Sequence, residues 1–292
     1  MNADRRPEAR LPGQDAIARK GWLAAHKWLL LRRISQTGIL GLFLIGPWFG
    51  IWIVKGNLSS SLTLDLLPLT DPYLLLQMLA AGFIPAATAL VGALIVTAFY
   101  LLVGGRVFCA WVCPVNIITD TAAWGRRRLG IKANHIPDAR SRYWLLAGTL
   151  AAAAVTGALA WEWINPVSIA HRGLLFGMGA GLWFLAAVFF YDLLVASRGW
   201  CGHLCPMGAF YSLLGKTALL RVAAPRRDAC DDCMDCFAVC PEPRVIRPAL
   251  KKAGQESTVI LDALCTTCGR CIDICGQKVF RLTHRFDRRS SS

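Results

Sequence analysis

The sequence predicts an α-helical membrane protein whose four transmembrane helices form two parallel repeats, followed by a small cysteine-rich α+β domain. Three observations predict it. Of the 292 residues, 55% are hydrophobic and the mean hydropathy is +0.45, too apolar for an ordinary soluble domain. Lys and Arg alternate between dense and sparse stretches. The stretch GRVFCAWVCPVN at 105–116 returns as SRGWCGHLCPMG at 197–208, so that Arg106, Cys109 and Cys113 are answered 92 residues later by Arg198, Cys201 and Cys205.

Each element follows in order. Crossing the hydrocarbon core takes about 20 apolar residues, and residues 34–54, 79–103, 143–164 and 174–195 meet that length. Residues 1–33 are polar and charged, and Arg5-Arg6 lacks the apolar region of an export signal. They predict an uncleaved cytoplasmic segment. Lys plus Arg number 8 before the first span, 1 between the first and second, and 7 between the second and third. The last connector has 1, and 15 follow the fourth span. Short basic loops stay inside. Both termini and the Arg126-Arg127-Arg128 loop are therefore expected in the cytoplasm, with the connectors near Lys55 and Arg172 outside the inner membrane. The net charge of +14 fits this topology and anionic lipid, with no nucleic-acid partner.

Two spans plus one Cys-x3-Cys-Pro motif form each half of residues 34–221. Both halves enter from the cytoplasm and return to it, the plan of parallel repeats about an axis along the membrane normal. Both motifs then lie at one face. Gly148, Ala151, Ala152, Ala153, Ala154, Gly177, Gly179 and Gly181 suit close helix contact, or simply fill hydrophobic helices. From 222 the composition turns soluble, and a domain of about 60 residues needs metal or disulfide support. The tail from Arg285 to Ser292 is expected to be disordered.

The cysteines carry the chemistry. All 12 fall in groups of 2, 2, 4 and 4, each on the expected cytoplasmic side, where thiols stay reduced and bind metal. CDDCMDCFAVCP (230–241) and CTTCGRCIDIC (265–275) both read C-x2-C-x2-C-x3-C, the spacing of two-cluster bacterial ferredoxins, in which the fourth cysteine serves the other cluster. That rule assigns Cys230, Cys233, Cys236 and Cys275 to one [4Fe–4S] cluster. It assigns Cys265, Cys268, Cys271 and Cys240 to the second. Structural zinc is the alternative for C-x2-C pairs, but two complete runs favour iron–sulfur clusters. Gly276 stands where a proline usually follows the second run.

The opening motifs hold half a site each. A C-x3-C spacing puts two thiols on one helical face, and Pro114 and Pro206 bias the preceding cysteine out of the helix. The repeat can bring Cys109, Cys113, Cys201 and Cys205 together as one site for iron or an iron–sulfur centre. The alternative is two separate thiol pairs with local or redox roles. His26, His135, His171 and His203 lie outside the spans, against intramembrane bis-histidine haem, and no dinucleotide fingerprint is present. Two acids lie within spans, Glu162 between Trp161 and Trp163, and Asp192 ahead of Cys201. They are candidate proton acceptors for quinol oxidation, or carboxylates that snorkel or pair with arginine, as Asp192 with Arg198.

The segments GPWFGIWIVKGNLSSSL, PLTDP, FCAWVCPVNIITD, WEWINPVS, GWCGHLCP and CMDCFAVCPEP extend the pattern beyond the cysteines. On them, residues from about Gly21 to Phe280 resemble the NapH/MauN family of membrane-bound ferredoxin-type proteins. The NapH resemblance implies a quinol dehydrogenase subunit with quinol as substrate. It also implies a NapG-type iron–sulfur partner, with onward transfer through a NapC-type cytochrome or directly to periplasmic nitrate reductase. The MauN proteins of methylamine utilisation share the plan. From another class, the rival is an iron–sulfur redox sensor, which would need a sizeable sensing domain. The outer connectors, 24 and 9 residues long, hold no recognisable one. A passive anchor would leave eight ferredoxin-type cysteines unexplained.

Overall fold

The computed structural model describes residues 11–131, 135, 137–177, 179–251 and 257–287. Arg5-Arg6 and the end of the tail, 288–292, lie outside them. The chain divides into two compact units. One comprises Met1–Leu31, Arg221–Ile260 and Gly269–Ser292; the other comprises Arg32–Leu220 and Leu261–Cys268.

In the first unit, strands Leu220–Ala223 and Arg281–His284 pair. Ile260 N–H donates to Val222 O and Ala224 N–H to Thr258 O. The core is Val222, Ala223, Val245, Ile246, Ala249, Val259, Ile260, Val279 and Phe280, all buried. Helices Gln14–Lys20 and Trp22–Ala25 belong to this unit as well. They are held by polar contacts: Lys20 Nζ donates to Ile272 O and Asp273 O, each at 2.9 Å. Gly13 N–H donates to Asp235 Oδ2 at 2.8 Å. Asp273 accepts from Trp28 N–H and Leu29 N–H, capping the orphan donors that open helix Lys27–Phe49.

The second unit is helical apart from a three-stranded antiparallel meander, Val54–Gly56, Ser60–Thr63 and Leu67–Thr70. Register is set by Val54 opposite Thr63 and Ser60 opposite Thr70. The observed helices differ from the apolar windows, for a common reason. Helix Lys27–Phe49 starts seven residues before the 34–54 window and stops at Gly50, whose φ is 76°. Residues 79–103 are broken at Gly82 (φ 82°) and Pro85 into Pro72–Ala80 and Ala87–Val103. Residues 143–164 are broken at Gly157, a left-handed cap of Ser141–Thr156, before the short helix Ala160–Ile164. Residues 174–195 are broken at Gly177 (φ 93°), between Pro166–Phe176 and Gly179–Phe190. Left-handed glycines end helices, whereas hydropathy registers only apolarity.

The halves share more than their cysteines. Asp71 and Asn165 each cap a helix whose first residue is proline, accepting from Tyr73 N–H at 3.1 Å and Val167 N–H at 3.0 Å. Each capped helix is followed by an apolar helix, Ala87–Val103 or Gly179–Phe190. A short helical turn with the first cysteine comes next: Val107–Trp111, or the π-turn Trp200–Leu204. Each Cys-Pro step then opens a further helix, Val115–Arg128 or Pro206–Leu214.

Helix Lys27–Phe49 is long and apolar enough to cross a membrane; Ala87–Val103 and Gly179–Val195 are apolar but shorter. Gly179–Phe190 has no charged side chain, yet Trp183 is 79% exposed, and Leu94, Leu102, Trp144 and Phe190 are also exposed. Apolar side chains facing outward on this scale mark a surface made for a partner or for lipid.

Candidate metal centres

In the first unit Cys230, Cys233, Cys236 and Cys275 line one cavity, closed by Phe237, Leu250, Ile274, Val279 and Phe280. Three come from the first run and the fourth from the end of the second. The local backbone explains how the runs present them. Asp232 (φ 58°) and Met234 (φ 62°) are left-handed on either side of Cys233. Met234 caps helix Asp235–Val239, which ends in extended Cys240. Thirty-five residues on, Thr267 (φ 47°) and Gly269 (φ 73°) flank Cys268. Gly269 caps helix Arg270–Ile274, which ends in extended Cys275. Alternating left-handed residues turn successive N–H groups towards one centre, a concavity suited to an anion, and a thiolate-bound cluster is anionic. Val279 N–H donates to Cys275 Sγ at 3.4 Å, and Asp231 Oδ1 accepts from Cys233 N–H at 3.3 Å.

Burial first, and then the neighbouring thiols Cys233, Cys230 and Cys275, push the Cys236 thiol up to about 12. Burial likewise raises Cys233 to about 11. Bare Cys233 and Cys236 thiols stay protonated, and a metal centre that replaces those protons relieves the cost of their burial. The donor set and the apolar cradle fit an iron–sulfur cluster. Of the other expected set, Cys240 and Cys271 belong to the first unit and Cys265 and Cys268 to the second.

The second unit gathers the two half-sites. Cys109, Cys113 and Cys205 share one core cluster with Phe108, Tyr211 and Trp200. Burial raises all four thiols, Cys205 to about 12. Cys201 is raised further by Cys113, Cys205 and Cys109, and Cys113 by Cys109 and Cys205. The thiols of the two halves therefore lie within electrostatic reach of one another. Among the described residues no group of three or more His, Cys, Asp or Glu side chains is placed to hold a single metal ion.

Buried arginines frame this site. Arg106 donates to Leu264 O and Cys201 O, and Arg142 to Gly202 O at 2.8 Å; both pull Cys109 back down against burial. Arg106 and Arg198, equivalent in sequence, do different work. Arg198 pairs with Asp120 at 2.6 Å, and Asp120 also holds Arg32 and Arg33. Gln36 Nε2 donates to Ala110 O and Cys113 O. Cys205, extended before Pro206, caps its helix by accepting from Gly208 N–H at 3.5 Å.

The two candidate acids have local partners. Glu162 accepts from Asn165 Nδ2 at 2.9 Å and Ser168 Oγ at 2.7 Å. Asp192 is fully buried and accepts from Trp200 N–H at 3.0 Å, holding the turn that carries Cys201. Sequence reasoning missed Asp71, Asp120, Arg142 and Gln36. Of these, Asp71 had a signal in the Asp-Pro step that Asn165-Pro166 repeats.

A sequence family described as "4Fe-4S binding domain" matches the chain twice, at residues 85–132 and 176–227, once around each Cys-x3-Cys-Pro motif. The chain is 55% identical to the methylamine utilization ferredoxin-type protein MauN of Methylorubrum extorquens, over 93% of this chain and 94% of that protein. It is 56% identical to MauN of Paracoccus denitrificans, over 92% and 95% respectively. It is 50% identical to the ferredoxin-type protein NapH of Escherichia coli, over 96% and 97%. No solved structure matches.

Proposed function

This chain belongs to the family of NapH and MauN ferredoxin-type proteins, and from that premise we propose that it is the inner-membrane iron–sulfur subunit of a quinol dehydrogenase. Four apolar segments cross the membrane as two parallel repeats with both termini inside. The repeated Asx-Pro caps, the exposed apolar faces and the Lys/Arg distribution support that arrangement. Two [4Fe–4S] clusters occupy the ferredoxin runs, one on Cys230, Cys233, Cys236 and Cys275, the other on Cys265, Cys268, Cys271 and Cys240. A third iron–sulfur centre lies on Cys109, Cys113, Cys201 and Cys205.

The observation that carries this reading is the cavity in which cysteines from both runs converge. When bound, the clusters supply one-electron redox steps. The chain's own residues hold them, exclude water with Phe237, Leu250 and Phe280, and offset thiolate charge with Arg106 and Arg142 at the third centre. Bound clusters would accept singly the two electrons that oxidation of a hydroquinone to its quinone releases, and protein carboxylates or solvent would take its two protons. Partners are a NapG-type iron–sulfur protein and a NapC-type cytochrome, or the nitrate reductase complex itself. A second reading, in which the chain serves methylamine utilisation, is favoured by the 55% and 56% identity to two MauN proteins, against 50% to NapH of Escherichia coli.

Deleting the chain from its host tests both. Hydroquinone-driven reduction of nitrate in intact cells is expected to fall several-fold, while reduction driven by a viologen dye stays unchanged. An unchanged hydroquinone-driven rate overturns the nitrate reading, and loss of growth on methylamine at that unchanged rate supports the second.

A further inference from the structure

The segment expected to be an outer connector turns inward at helix Pro72–Ala80. Its Tyr73 packs in the core, with ring stacking against Phe210 and its hydroxyl 2.6 Å from Thr149 Oγ1. Its cap Asp71, 6% exposed, accepts from Tyr211 O–H at 2.9 Å on Oδ1. Gln77, fully buried, accepts from Trp161 N–H at 3.0 Å on Oε1.

Three buried polar atoms have no hydrogen-bond partner among the described residues: Asp71 Oδ2 and Gln77 Nε2 at this helix, and Trp161 Nε1 on helix Ala160–Ile164, whose Trp161 N–H meets Gln77. One is an acceptor and two are donors. A buried polar atom without a partner forfeits its hydration, so two at one short helix and a third on the turn it contacts call for an occupant. Gln77 stands six residues after Asp71, about 9 Å along the axis. Helical side chains lean towards the N-terminus, which brings its amide back over the turn next to Asp71. An occupant that offers a hydroxyl to Asp71 Oδ2 and an acceptor oxygen to Gln77 Nε2 and Trp161 Nε1 would satisfy all three.

We propose that Asp71, Gln77 and Trp161 form the site that binds the head of a para-hydroquinone, deepening the quinol reading above, on which it rests. The hydroxyl at one end donates to Asp71 Oδ2. Gln77 Nε2–H and Trp161 Nε1–H donate to the oxygen at the other end. The break after Ala80 exposes Phe83 and Ile84, 52% and 97% accessible, giving an apolar ring and tail an approach from the lipid.

On the inner side, Tyr211 stacks on Phe108 at 4.9 Å, and Phe108 precedes Cys109, so the site adjoins the four-cysteine centre. When the hydroquinone becomes quinone, one of its two protons passes to Asp71 and the other leaves to solvent. The two electrons go singly to two oxidised clusters.

The groups facing Asp71 are Tyr73, Tyr100, Tyr211 and Glu162. Burial raises Asp71 to about 6, against the hydrogen bonds from Tyr73 N–H and Tyr211 O–H, with Glu162 adding to the rise. At pH 7 it is mainly ionised and able to take the proton.

The test uses the full-length protein, purified anaerobically with its clusters and mixed with menadiol, while cluster reduction is followed by EPR. Gln77→Leu is expected to raise the menadiol concentration for half-maximal reduction about tenfold, the worth of one buried hydrogen bond. Asp71→Asn is expected to slow reduction about a hundredfold and to remove the fall in rate below pH 6. Both should keep wild-type iron content and wild-type reduction by dithionite. Menadiol rates equal to wild type in both variants overturn the site and leave the quinol reading standing. A wild-type protein that dithionite reduces and menadiol does not overturns both. Should Asp71→Asn fail to fold, an azidoquinone photolabel on the wild type decides: labelling at 71–77 or 161–165 supports the site, and labelling confined elsewhere overturns it.

Discussion

Gly105→Ala is expected to leave almost no folded protein. A Cβ on Gly105 would lie 1.7 Å from Tyr211 O and 2.7 Å from Gly215 N. Both neighbours are backbone, in or just beyond helix Pro206–Leu214, so no side chain can rotate away. Overpacking against backbone costs about 3 kcal/mol or more. Here it also separates the turn carrying Cys109 from the helix that follows Cys205, and so attacks the two half-sites together. Gly148→Ala is the control: nothing lies within 4 Å of its Cβ, and a helix interior gains from the change. Yield of monodisperse protein in detergent and its thermal midpoint should fall sharply for the first variant and hold or rise for the second. A Gly105→Ala protein with the wild-type midpoint would mean that the crossing at residues 105 and 211 is looser than described.

Cys275→Ser is expected to remove the same cluster as Cys230→Ser, although the two residues are 45 positions apart. Both line the cavity of the first unit, whereas Cys240, only four residues beyond Cys236, is not among its lining residues. Loss of one thiolate ligand destroys a cubane or converts it to a form with a different EPR signal. Spectra of the dithionite-reduced variants should then fall into two sets. Cys230→Ser and Cys275→Ser lose one signal, while Cys240→Ser and Cys265→Ser lose the other. If Cys240→Ser matches Cys230→Ser instead, each run holds its own cluster and the crossed arrangement is wrong.

The sequence made the cysteine framework legible because ligand spacing is a covalent constraint. C-x2-C-x2-C-x3-C allows few geometries, and the left-handed residues that build it, Asp232 and Met234, or Thr267 and Gly269, are local. Helix ends were harder to read. Gly82, Gly157 and Gly177 interrupt apolar runs that hydropathy treats as continuous. The capping of Trp28 and Leu29 by Asp273 joins residues about 245 apart, beyond any window.

The acids show the same limit. Glu162 and Asp192 stood out by lying in apolar runs, yet their oxygens serve Asn165, Ser168 and the Trp200 turn. Asp71, in a polar loop by sequence, is buried against Tyr211. Its burial depends on a helix from the other half of the repeat, which no single stretch encodes. The four opening cysteines were legible as two halves, because their 92-residue offset is a property of the repeat and not of either motif.

Iron and acid-labile sulfide per chain in anaerobically purified full-length protein test the central claim most directly. The claim is that half a site occurs twice because the two halves complete one centre. Twelve cysteines in three sets of four then hold about 12 iron and 12 sulfide atoms, and Cys109→Ser and Cys201→Ser should each lower both to about 8. About 8 of each in the wild type, unchanged in both folded variants, would contradict it.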